Sequence, residues 1–491
     1  MDYRKDSPYV VFNPEGADPP SGFHILRNFT IISLSALLLW ACGKTEPEQP
    51  VVPPVDPAPK AVTLNISSFS AGAEGGTIEV TVKAPFVPQV DKPDWVSVST
   101  GSLVNYMTTV KLTVAPNPAY ESRSATLTFK ATGATSATFS LTQAASQKPE
   151  PAEVDKDLTN ENATAEAKWV YTFLREQAGS KMLSGVQSGG TANNNERVNQ
   201  VYTMTGKHPA LAGYDYIFLQ YSPTPAGWTW VVDYGDISAP KEQWQNNGLV
   251  SYMWHWNVPS TKADWDKGKG ADFSGYNFYC DKTKFSIANA LMSGTWENDF
   301  ILQDIEKVAG YLKLLQDAGI PVLWRPLHEA AGNYNLYGGN GAWFWWGRGG
   351  ADACKKLWKL LRDKLEGEYG LNNLIWVWTL DATPGAEKDY ATWYPGNDLV
   401  DLVGVDIYAD DTDAKARQYD AAVALSGGHK LVTVSECGNI PNPAKCLDAG
   451  QGWNWFLVWD LESYELNSTS YWKSIMSSNK VLTREGMPSH E

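Results

Sequence analysis

Eight short apolar segments alternate with helical stretches between residues 181 and 460 of this chain. Each segment is rich in β-branched and aromatic residues, whereas a stretch such as 298–319 has an apolar stripe at helical spacing and stops at Gly319 before Pro321. The segments are 181–188, 208–216, 249–256, 321–329, 374–381, 401–408, 430–438 and 454–460. Strands and helices that alternate over about 330 residues predict an α/β fold, a (β/α)8 TIM barrel with enlarged loops.

Polar and aromatic residues lie where these predicted strands end. In such a barrel the carboxyl ends of all strands meet at one mouth, so the residues there become neighbours. Glu329 ends the fourth segment and Glu436 ends the seventh, nearly opposite across the mouth. Two carboxyl groups about 5 to 5.5 Å apart are the requirement for retaining cleavage of a glycosidic bond. The other residues expected at the mouth are Asp215, His255, Trp256, Asp406, Tyr408 and Trp459.

Four consecutive aromatic residues, Trp343–Trp346, follow Glu329 along the chain. Flat indole faces pack against the C–H faces of sugar rings, and a carboxyl group in a partly desolvated cleft holds its proton near neutral pH. The alternative is a buried strand followed by a tryptophan-rich core loop. We expect Trp346 to face the sugar and the other three rings mainly to pack.

The amino-terminal region has the pattern of an exported lipoprotein. An apolar run, 29–41, follows Arg27 and precedes Cys42, and its length suits a signal peptide rather than a membrane span. The residues before Cys42 resemble a bacterial lipobox, which implies lipidation of Cys42, a membrane anchor and a location in the cell envelope. Residues 1–26 are unlike an export signal, so we expect translation to begin near Arg27. The alternative is a buried amino-terminal helix.

A small β domain is predicted between two proline-rich linkers, 43–60 and 146–158. Residues 61–145 contain short runs with period-2 alternation, separated by turn residues, which predicts an immunoglobulin-like sandwich of six to eight strands. The motifs at 93–98, 114–129 and 139–145 resemble the BACON domains of carbohydrate-active enzymes. That resemblance implies either a spacer or a carbohydrate binder, and Trp95 is expected in the core. The barrel then occupies 159–491.

Charge and cysteine content exclude some functions. The net charge is −15 and no basic block occurs, which argues against binding of nucleic acid. The five cysteines match no zinc module, and Cys437 and Cys446 are either a disulfide or two buried thiols. We expect a monomer.

Five motifs together resemble glycoside hydrolase family 26, over about residues 160 to 488. They are WRPLHE at 324–329, WFWWG at 343–347, WHWNVP at 254–259, VGVDIY at 403–408 and SECG at 435–438. The resemblance implies a retaining endo-β-1,4-mannanase that acts on β-mannan and needs neither a cofactor nor a metal. Other retaining β-glycanases, such as a mixed-linkage β-glucanase or a β-1,3-xylanase, share this machinery. A non-catalytic glycan-binding lipoprotein is the alternative from another class.

The resemblance also implies roles for single residues. Glu329 resembles the general acid/base and Glu436 the nucleophile, with Tyr408 donating its hydroxyl to Glu436 and His328 orienting the acid/base region. The residues expected to bind the substrate are His255, Trp256, His328, Trp346, Tyr408 and Trp459. Core packing is the alternative for the tryptophans that lie on or beside strands, Trp256, Trp324, Trp376 and Trp378.

Some roles at the mouth stay open. Arg325 either forms an ion pair in the barrel interior or contacts Glu436, and Asp215 and Glu297 are more simply capping or solvated carboxylates. The chain departs from the family pattern at Cys437 and in the long insert 330–342.

Overall fold

The computed structural model describes residues 57–117, 119, 121–146, 153–189, 193–228, 231–268, 274–332, 334, 339–383 and 389–490. Its contacts divide the chain between Ser146 and Gln147 into two compact units. Cys42 and the expected signal segment lie outside the described residues, as does most of the first proline-rich linker.

The first unit is a β-sandwich, as predicted. Its strands are β1 Thr63–Leu64, β2 Ser68–Ala71, β3 Gly76–Lys83, β4 Gln89–Asp91, β5 Val96–Thr100, β6 Met107–Val114, β7 Arg123–Lys130 and β8 Ala137–Gln143. They form two four-stranded sheets, β1-β3-β6-β5 and β2-β8-β7-β4. Every second residue of β6 is buried, so its apolar residues Val110, Leu112 and Val114 face the other sheet. Trp95 lies at the edge of this core with the Arg123 guanidinium 4.3 Å from its ring centroid.

The second unit contains the predicted barrel. Its strands are β9 Met182–Gln187, β10 Leu211–Asp215, β11 Leu249–Trp254, β12 Val258–Pro259, β13 Tyr276–Asn277, β14 Val322–Pro326, β15 Leu374–Asp381, β16 Leu402–Ile407, β17 Leu431–Cys437, β18 Trp455–Val458 and β19 Val481–Leu482. Eight of them run parallel in the order β9-β10-β11-β14-β15-β16-β17-β18, and β9 pairs with both β10 and β18. The sheet is therefore closed, which confirms the (β/α)8 fold.

Helices surround this sheet. They are α1 Ala165–Gln177, α2 Glu196–Thr205, α3 Ser238–Gln245, α4 Lys262–Lys267, α5 Ile287–Ala290, α6 Trp296–Asp317, α7 Ala351–Arg362, α8 Tyr390–Trp393, α9 Ala416–Leu425, α10 Pro443–Asp448 and α11 Thr469–Ser477, with a π-helical turn at Asp363–Glu368. The long helix α6 begins at the N-cap Thr295, whose side chain accepts from the Asn298 amide.

The barrel interior is apolar at one end and polar at the other. Leucine side chains from several strands, including Leu183, Leu211 and Leu323, pack with Val170 and Leu174 of α1 and are buried. Helix α1 thus covers the end where the strands begin. Charged side chains are left at the opposite end, where parallel strands of this fold present their functional residues.

All cysteines in the part of the chain that the structure describes are buried free thiols, Cys437 and Cys446 among them. Of the two alternatives for that pair, the structure shows the free thiols. Among the same residues, no helix is both long and apolar enough to cross a membrane.

Candidate active site

Glu436 is held at the end of β17 by a local irregularity of the strand. The pairing of β16 with β17 runs from Val405 and Val434 directly to Asp406 and Glu436, so Ser435 is an extra residue on β17. A bulge of this kind re-aims side chains that would otherwise alternate between the two faces. As a result Ser435 and Glu436, although consecutive, both contact the charged groups of the barrel interior.

Arg325 is the centre of these charged groups. It is 3% exposed, its Nη1 donates to Asp406 Oδ2 at 3.0 Å, and its Nη2 donates to Glu436 Oε1. Both alternatives left open by the sequence are therefore realised at once. Asp406 also accepts from Ser435 Oγ at 2.7 Å. Burial, followed by the negative charge of Glu436, raises the pKa of Asp406 well above its usual range. The two carboxyl groups both accept hydrogen bonds from the Arg325 guanidinium.

Tyr408 supplies the second donor to Glu436. Its hydroxyl donates to Glu436 Oε2 at 2.5 Å, so both carboxylate oxygens of Glu436 accept a hydrogen bond from a named donor. Hydrogen bonds to both oxygens fix the orientation of the carboxyl group. The hydrogen bond expected from Tyr408 is thus present.

Glu329 follows the fourth barrel strand instead of belonging to it. Strand β14 ends at Pro326, three residues earlier than expected, and the chain then turns. Leu327 and Glu329 have φ values of 52° and 50°, which side-chain-bearing residues seldom adopt and which occur at functional sites. The Glu329 amide donates to Thr379 O at 3.2 Å, and only 3% of the surface of Glu329 is exposed.

Tyr464, which the sequence did not reveal, lies beside Tyr408 with the two ring centroids 6.1 Å apart. Burial is the largest cause of a raised pKa for its phenol, followed by the charges of Glu436 and Asp460, with a smaller effect of Glu329. The Tyr464 ring packs on Gly438. A Cβ at position 438 would come within 2.4 Å of that ring, so a glycine is needed directly after Cys437. The signal available in the sequence was Gly438 itself, but its partner lies in the loop after β18.

Two histidines stand together at the mouth. Their ring centroids are 4.5 Å apart at an interplanar angle of 73°. His255 Nδ1 is 2.6 Å from Asp215 Oδ2, and the His255 amide donates to Asp215 Oδ1 at 3.0 Å. Asp215 is therefore more than a solvated carboxylate. His328 is 2% exposed, and burial, with the nearby His255 and Arg325, lowers its pKa well below 6.5.

Two tryptophans expected to contact sugar are core residues. Trp346 is fully buried, stacks on Phe344 with centroids 4.5 Å apart and donates from Nε1 to His328 O at 3.0 Å. Trp256 is also fully buried and donates to Asp304 Oδ2 at 2.8 Å. Rings enclosed in this way have no face open to a ligand, so the predictions for Trp346 and Trp256 are wrong. The same burial makes Trp324, Trp376 and Trp378 core residues.

Trp343 and Trp459 are the partly exposed indoles of this region. Trp343 lies against the backbone of Gly332, three residues after Glu329, and its amide donates to Gly332 O at 3.1 Å. Trp459 lies 5.6 Å from His255 between ring centroids. Its carbonyl accepts from Arg197 Nη1 at 2.9 Å, which ties the end of the last barrel strand to α2. Both rings are half-buried, and the sugar contact expected of Trp459 stays a prediction.

Comparison with known proteins follows the division of the chain. The sequence-family model of glycosyl hydrolase family 26 matches residues 159–485. The family model named BACON, described as an N-terminal binding domain, matches residues 87–144. A mannan endo-1,4-beta-mannosidase of Thermothelomyces thermophilus is 36% identical over 339 residues, covering 67% of this chain and 63% of that protein. Mannan endo-1,4-beta-mannosidase B of a Piromyces species is 34% identical over 344 residues, covering 68% of this chain and 54% of that protein. The match therefore spans less than two thirds of these relatives.

Solved structures of similar sequence agree with the family match. The family 26 domain of an endo-beta-mannanase/endo-beta-glucanase from Prevotella bryantii is 34% identical, with a TM-score of 0.60, covering 68% of this chain and 100% of that one. A beta-mannanase from a symbiotic protist of the termite Reticulitermes speratus, complexed with gluco-manno-oligosaccharide, is 35% identical with a TM-score of 0.57, covering 68% of this chain and 98% of that one.

Proposed function

Because the chain belongs to glycosyl hydrolase family 26, we propose that it cleaves internal β-1,4-mannosidic bonds of mannan, galactomannan or glucomannan with retention of configuration. As a member of that family the chain is a glycoside hydrolase. The observation that carries the proposal is the buried Glu436 carboxyl group, whose two oxygens accept from Arg325 and Tyr408, together with the buried Glu329 that follows the fourth barrel strand. A pair of carboxyl groups is the machinery that a retaining glycosidase needs.

In the proposed reaction the Glu436 carboxylate attacks the anomeric carbon while the Glu329 carboxyl group gives its proton to the leaving glycosidic oxygen. The sugar is then held as an ester of Glu436 and Glu329 is ionised. Glu329 next takes a proton from water, whose oxygen attacks the same carbon and frees Glu436. The assignment of roles is supported by the donors on Glu436, since Arg325 and Tyr408 aim it as a nucleophile and leave Glu329 as the proton carrier.

Substrate contacts are proposed for two partly exposed indoles and for the two neighbouring histidines at the mouth. Trp459 and Trp343 offer indole faces to the C–H surfaces of sugar rings, and His255 and His328 offer imidazole nitrogens to hydroxyl groups. The enclosed rings of Phe344, Trp345 and Trp346 support this surface from behind.

A substrate panel tests the proposed activity. Linear mannan, galactomannan, glucomannan, barley β-glucan and β-1,3-xylan would be incubated with the full chain, with product lengths and anomeric configuration followed by chromatography and NMR. We expect internal cleavage of the mannans with the β-anomer formed first. Release of sugar from barley β-glucan or β-1,3-xylan but from none of the mannans would contradict the proposed substrate and leave the fold assignment intact.

Substitution of the carboxylates tests the proposed roles. Glu436→Ala and Glu329→Ala should each lower kcat on mannan by about a thousandfold or more. Glu465→Gln, which changes an exposed carboxylate next to Tyr464, is the matched control and should retain activity. On an aryl β-mannobioside, whose phenolate leaves without a proton donor, added azide should restore turnover to both alanine variants with opposite stereochemistry, giving an α-glycosyl azide with Glu436→Ala and a β-glycosyl azide with Glu329→Ala. The reverse pattern would show that the roles are exchanged.

We also propose that the chain is a monomer anchored in the cell envelope through a lipid on Cys42. Support comes from the apolar segment before Cys42 and from the proline-rich stretch after it. Cys42→Ser should move the protein from the membrane fraction to the soluble fraction, and continued membrane association would contradict the anchor. Light scattering of the detergent-free Cys42→Ser protein should give the mass of one chain.

A further inference from the structure

The two histidines at the barrel mouth have different hydrogen-bond environments. We propose that Asp215 is a positioning residue that holds His255 as a hydrogen-bond acceptor beside His328 as a donor, so that together they bind one hydroxyl group of the sugar. The inference rests on the proposed function, because it names how that site recognises its substrate. Asp215 acts through His255 and is not itself assigned a contact with sugar.

Strand register brings Asp215 to His255. Asp215 ends β10 and pairs with Met253 on β11, and His255, two residues after Met253, directly follows the end of that strand. The Met253 side chain faces the barrel interior, since its sulfur lies 3.1 Å from Arg325 Nη2. The side chains of Asp215 and His255 are 7% and 11% exposed, which keeps competing water away from their hydrogen bond.

Hydrogen bonding to Asp215 determines which nitrogen carries the proton when the His255 imidazole holds a single one. Oδ1 is occupied by the His255 amide at 3.0 Å and Oδ2 faces Nδ1 at 2.6 Å. An ionised carboxylate only accepts hydrogen bonds, so the proton of the neutral imidazole is on Nδ1. The other nitrogen, Nε2, then presents a lone pair and accepts a hydrogen bond.

His328 has the opposite arrangement. Its Nδ1 is buried and has no hydrogen-bond partner, whereas Nε2 is not among the enclosed, unpartnered atoms. A proton on Nδ1 would be a buried N–H donor without an acceptor, whereas a proton on Nε2 can be donated to a ligand. Burial also keeps this imidazole neutral by lowering its pKa, so it carries a single ring proton. That proton belongs on Nε2, where His328 acts as a donor.

An acceptor and a donor side by side match the chemistry of a hydroxyl group. The O–H of the sugar donates to His255 Nε2, and its oxygen accepts from His328 Nε2–H. The near-perpendicular rings, with centroids 4.5 Å apart, allow the two nitrogens to approach one oxygen from different directions. Trp459 lies beside His255, so the ring face and the hydroxyl group of one sugar are contacted together.

Asp215→Asn is the informative substitution because it reverses the tautomer of His255 while conserving shape. The amide oxygen of the new side chain remains as acceptor for the His255 amide, which turns the NH2 group toward Nδ1. Nδ1 must then accept, so the proton moves to Nε2 and His255 presents a donor where the sugar needs an acceptor. We expect kcat/KM on mannan to fall about a hundredfold, the scale of one misplaced hydrogen bond in a catalytic site.

NMR of 15N-histidine-labelled full-length protein without substrate measures the tautomer directly. The chain has six histidines, so His255→Gln and His328→Gln assign the two resonance pairs. We expect His255 to be protonated at Nδ1 in the parent protein and at Nε2 in Asp215→Asn, with His328 protonated at Nε2 in both. Asp233→Asn changes an exposed carboxylate in the loop after β10 and is the control that should change neither signal nor rate.

Two results would overturn the proposal. One is the same His255 tautomer in the parent protein and in Asp215→Asn. The other is a reversed tautomer with unchanged kcat/KM. In the His255→Gln background, Asp215→Asn should cost no more than about twofold further, because its effect passes through His255. Failure of the mannan panel would refute the proposed substrate, whereas the NMR result needs no substrate and stands or falls separately.

Discussion

Trp343 and Trp346 are three residues apart in one aromatic run but have different surroundings. Trp346 is enclosed by Phe344, Trp345 and His328, whereas Trp343 is partly exposed over Gly332. A side chain stabilises the fold when it is buried and can bind a ligand only when one face remains open. The burial of Trp346 therefore indicates packing, whereas the partly exposed Trp343 is the ring for which we propose sugar contact.

Alanine substitution should separate these two roles. Trp346→Ala should lower the free energy of unfolding by about 3 to 5 kcal/mol, because it leaves a large cavity in the core. Trp343→Ala should change stability by less than about 1.5 kcal/mol but raise KM for mannan about tenfold or more, because one stacking face is lost. Chemical denaturation and steady-state kinetics measure both. The assignment would be contradicted by equal loss of stability in the two variants.

His328 should make stability depend on pH. Its pKa is lowered in the folded protein, so below the unfolded value of about 6.5 the unfolded chain binds a proton that the folded chain does not. Stability is therefore lost as the pH falls below that value. His490 acts in the same direction, because burial lowers its pKa to about 4.

Replacing His328 should remove one part of this dependence. Between about pH 7.5 and about pH 5.5 the parent protein should lose about 1 kcal/mol more than His328→Gln, as expected for one histidine that stays neutral only when folded. Urea unfolding at both pH values measures the difference. His490→Gln is the comparison variant, and an unchanged pH dependence in His328→Gln would contradict a neutral buried His328.

At the scale of single elements, the end of β17 shows how one strand irregularity organises the site. The extra residue Ser435 turns two consecutive side chains inward, and Gly404 on β16 provides the space that Ser435 occupies. A Cβ at Gly404 would lie 2.4 Å from Ser435 Oγ. The hydrogen bond from Ser435 to Asp406 therefore requires glycine at position 404 on the neighbouring strand. Because Asp406 and Glu436 share Arg325, the position of Glu436 depends on the same glycine.

Gly404→Ala should therefore disturb catalysis as well as stability. Overpacking should cost about 1 to 3 kcal/mol of unfolding free energy, and displacement of Ser435 should lower kcat about tenfold. Gly310→Ala, at an exposed helical position with open space around it, is the matched control and should stabilise the protein by about 0.5 to 1 kcal/mol. An unchanged kcat in Gly404→Ala would show that the bulge at Ser435 does not control the position of Glu436.

At the scale of the whole molecule, the sandwich and the barrel are separate compact units with their own cores. Every residue assigned to the candidate site lies between Asp215 and Tyr464, inside the second unit. A protein spanning residues 153–491 should therefore keep kcat/KM on soluble manno-oligosaccharides within about twofold of the full chain. A much larger loss, measured on the same oligosaccharides, would show that the sandwich takes part in catalysis.

The sequence by itself determined the (β/α)8 fold, the sandwich and the two carboxylates, because these depend on local signals. Apolar periodicity predicts strands and helices, and parallel strands of a barrel end at one mouth. Within their motifs, Glu436 lies near the end of the seventh barrel strand and Glu329 shortly after the fourth. Strand bounds differed mainly where the backbone departs from extended geometry, as after Pro326, where two residues adopt positive φ.

The tertiary structure decided which side chains are enclosed and which are partners. Trp343 and Trp346 look alike in sequence, and only packing distinguishes the open ring from the buried one. The links of Arg325 to Asp406 and of Asp215 to His255 join residues on different strands, and Tyr464 reaches the site from the last long loop. Such contacts depend on the register and closure of the sheet, so they emerge only when distant segments are brought together.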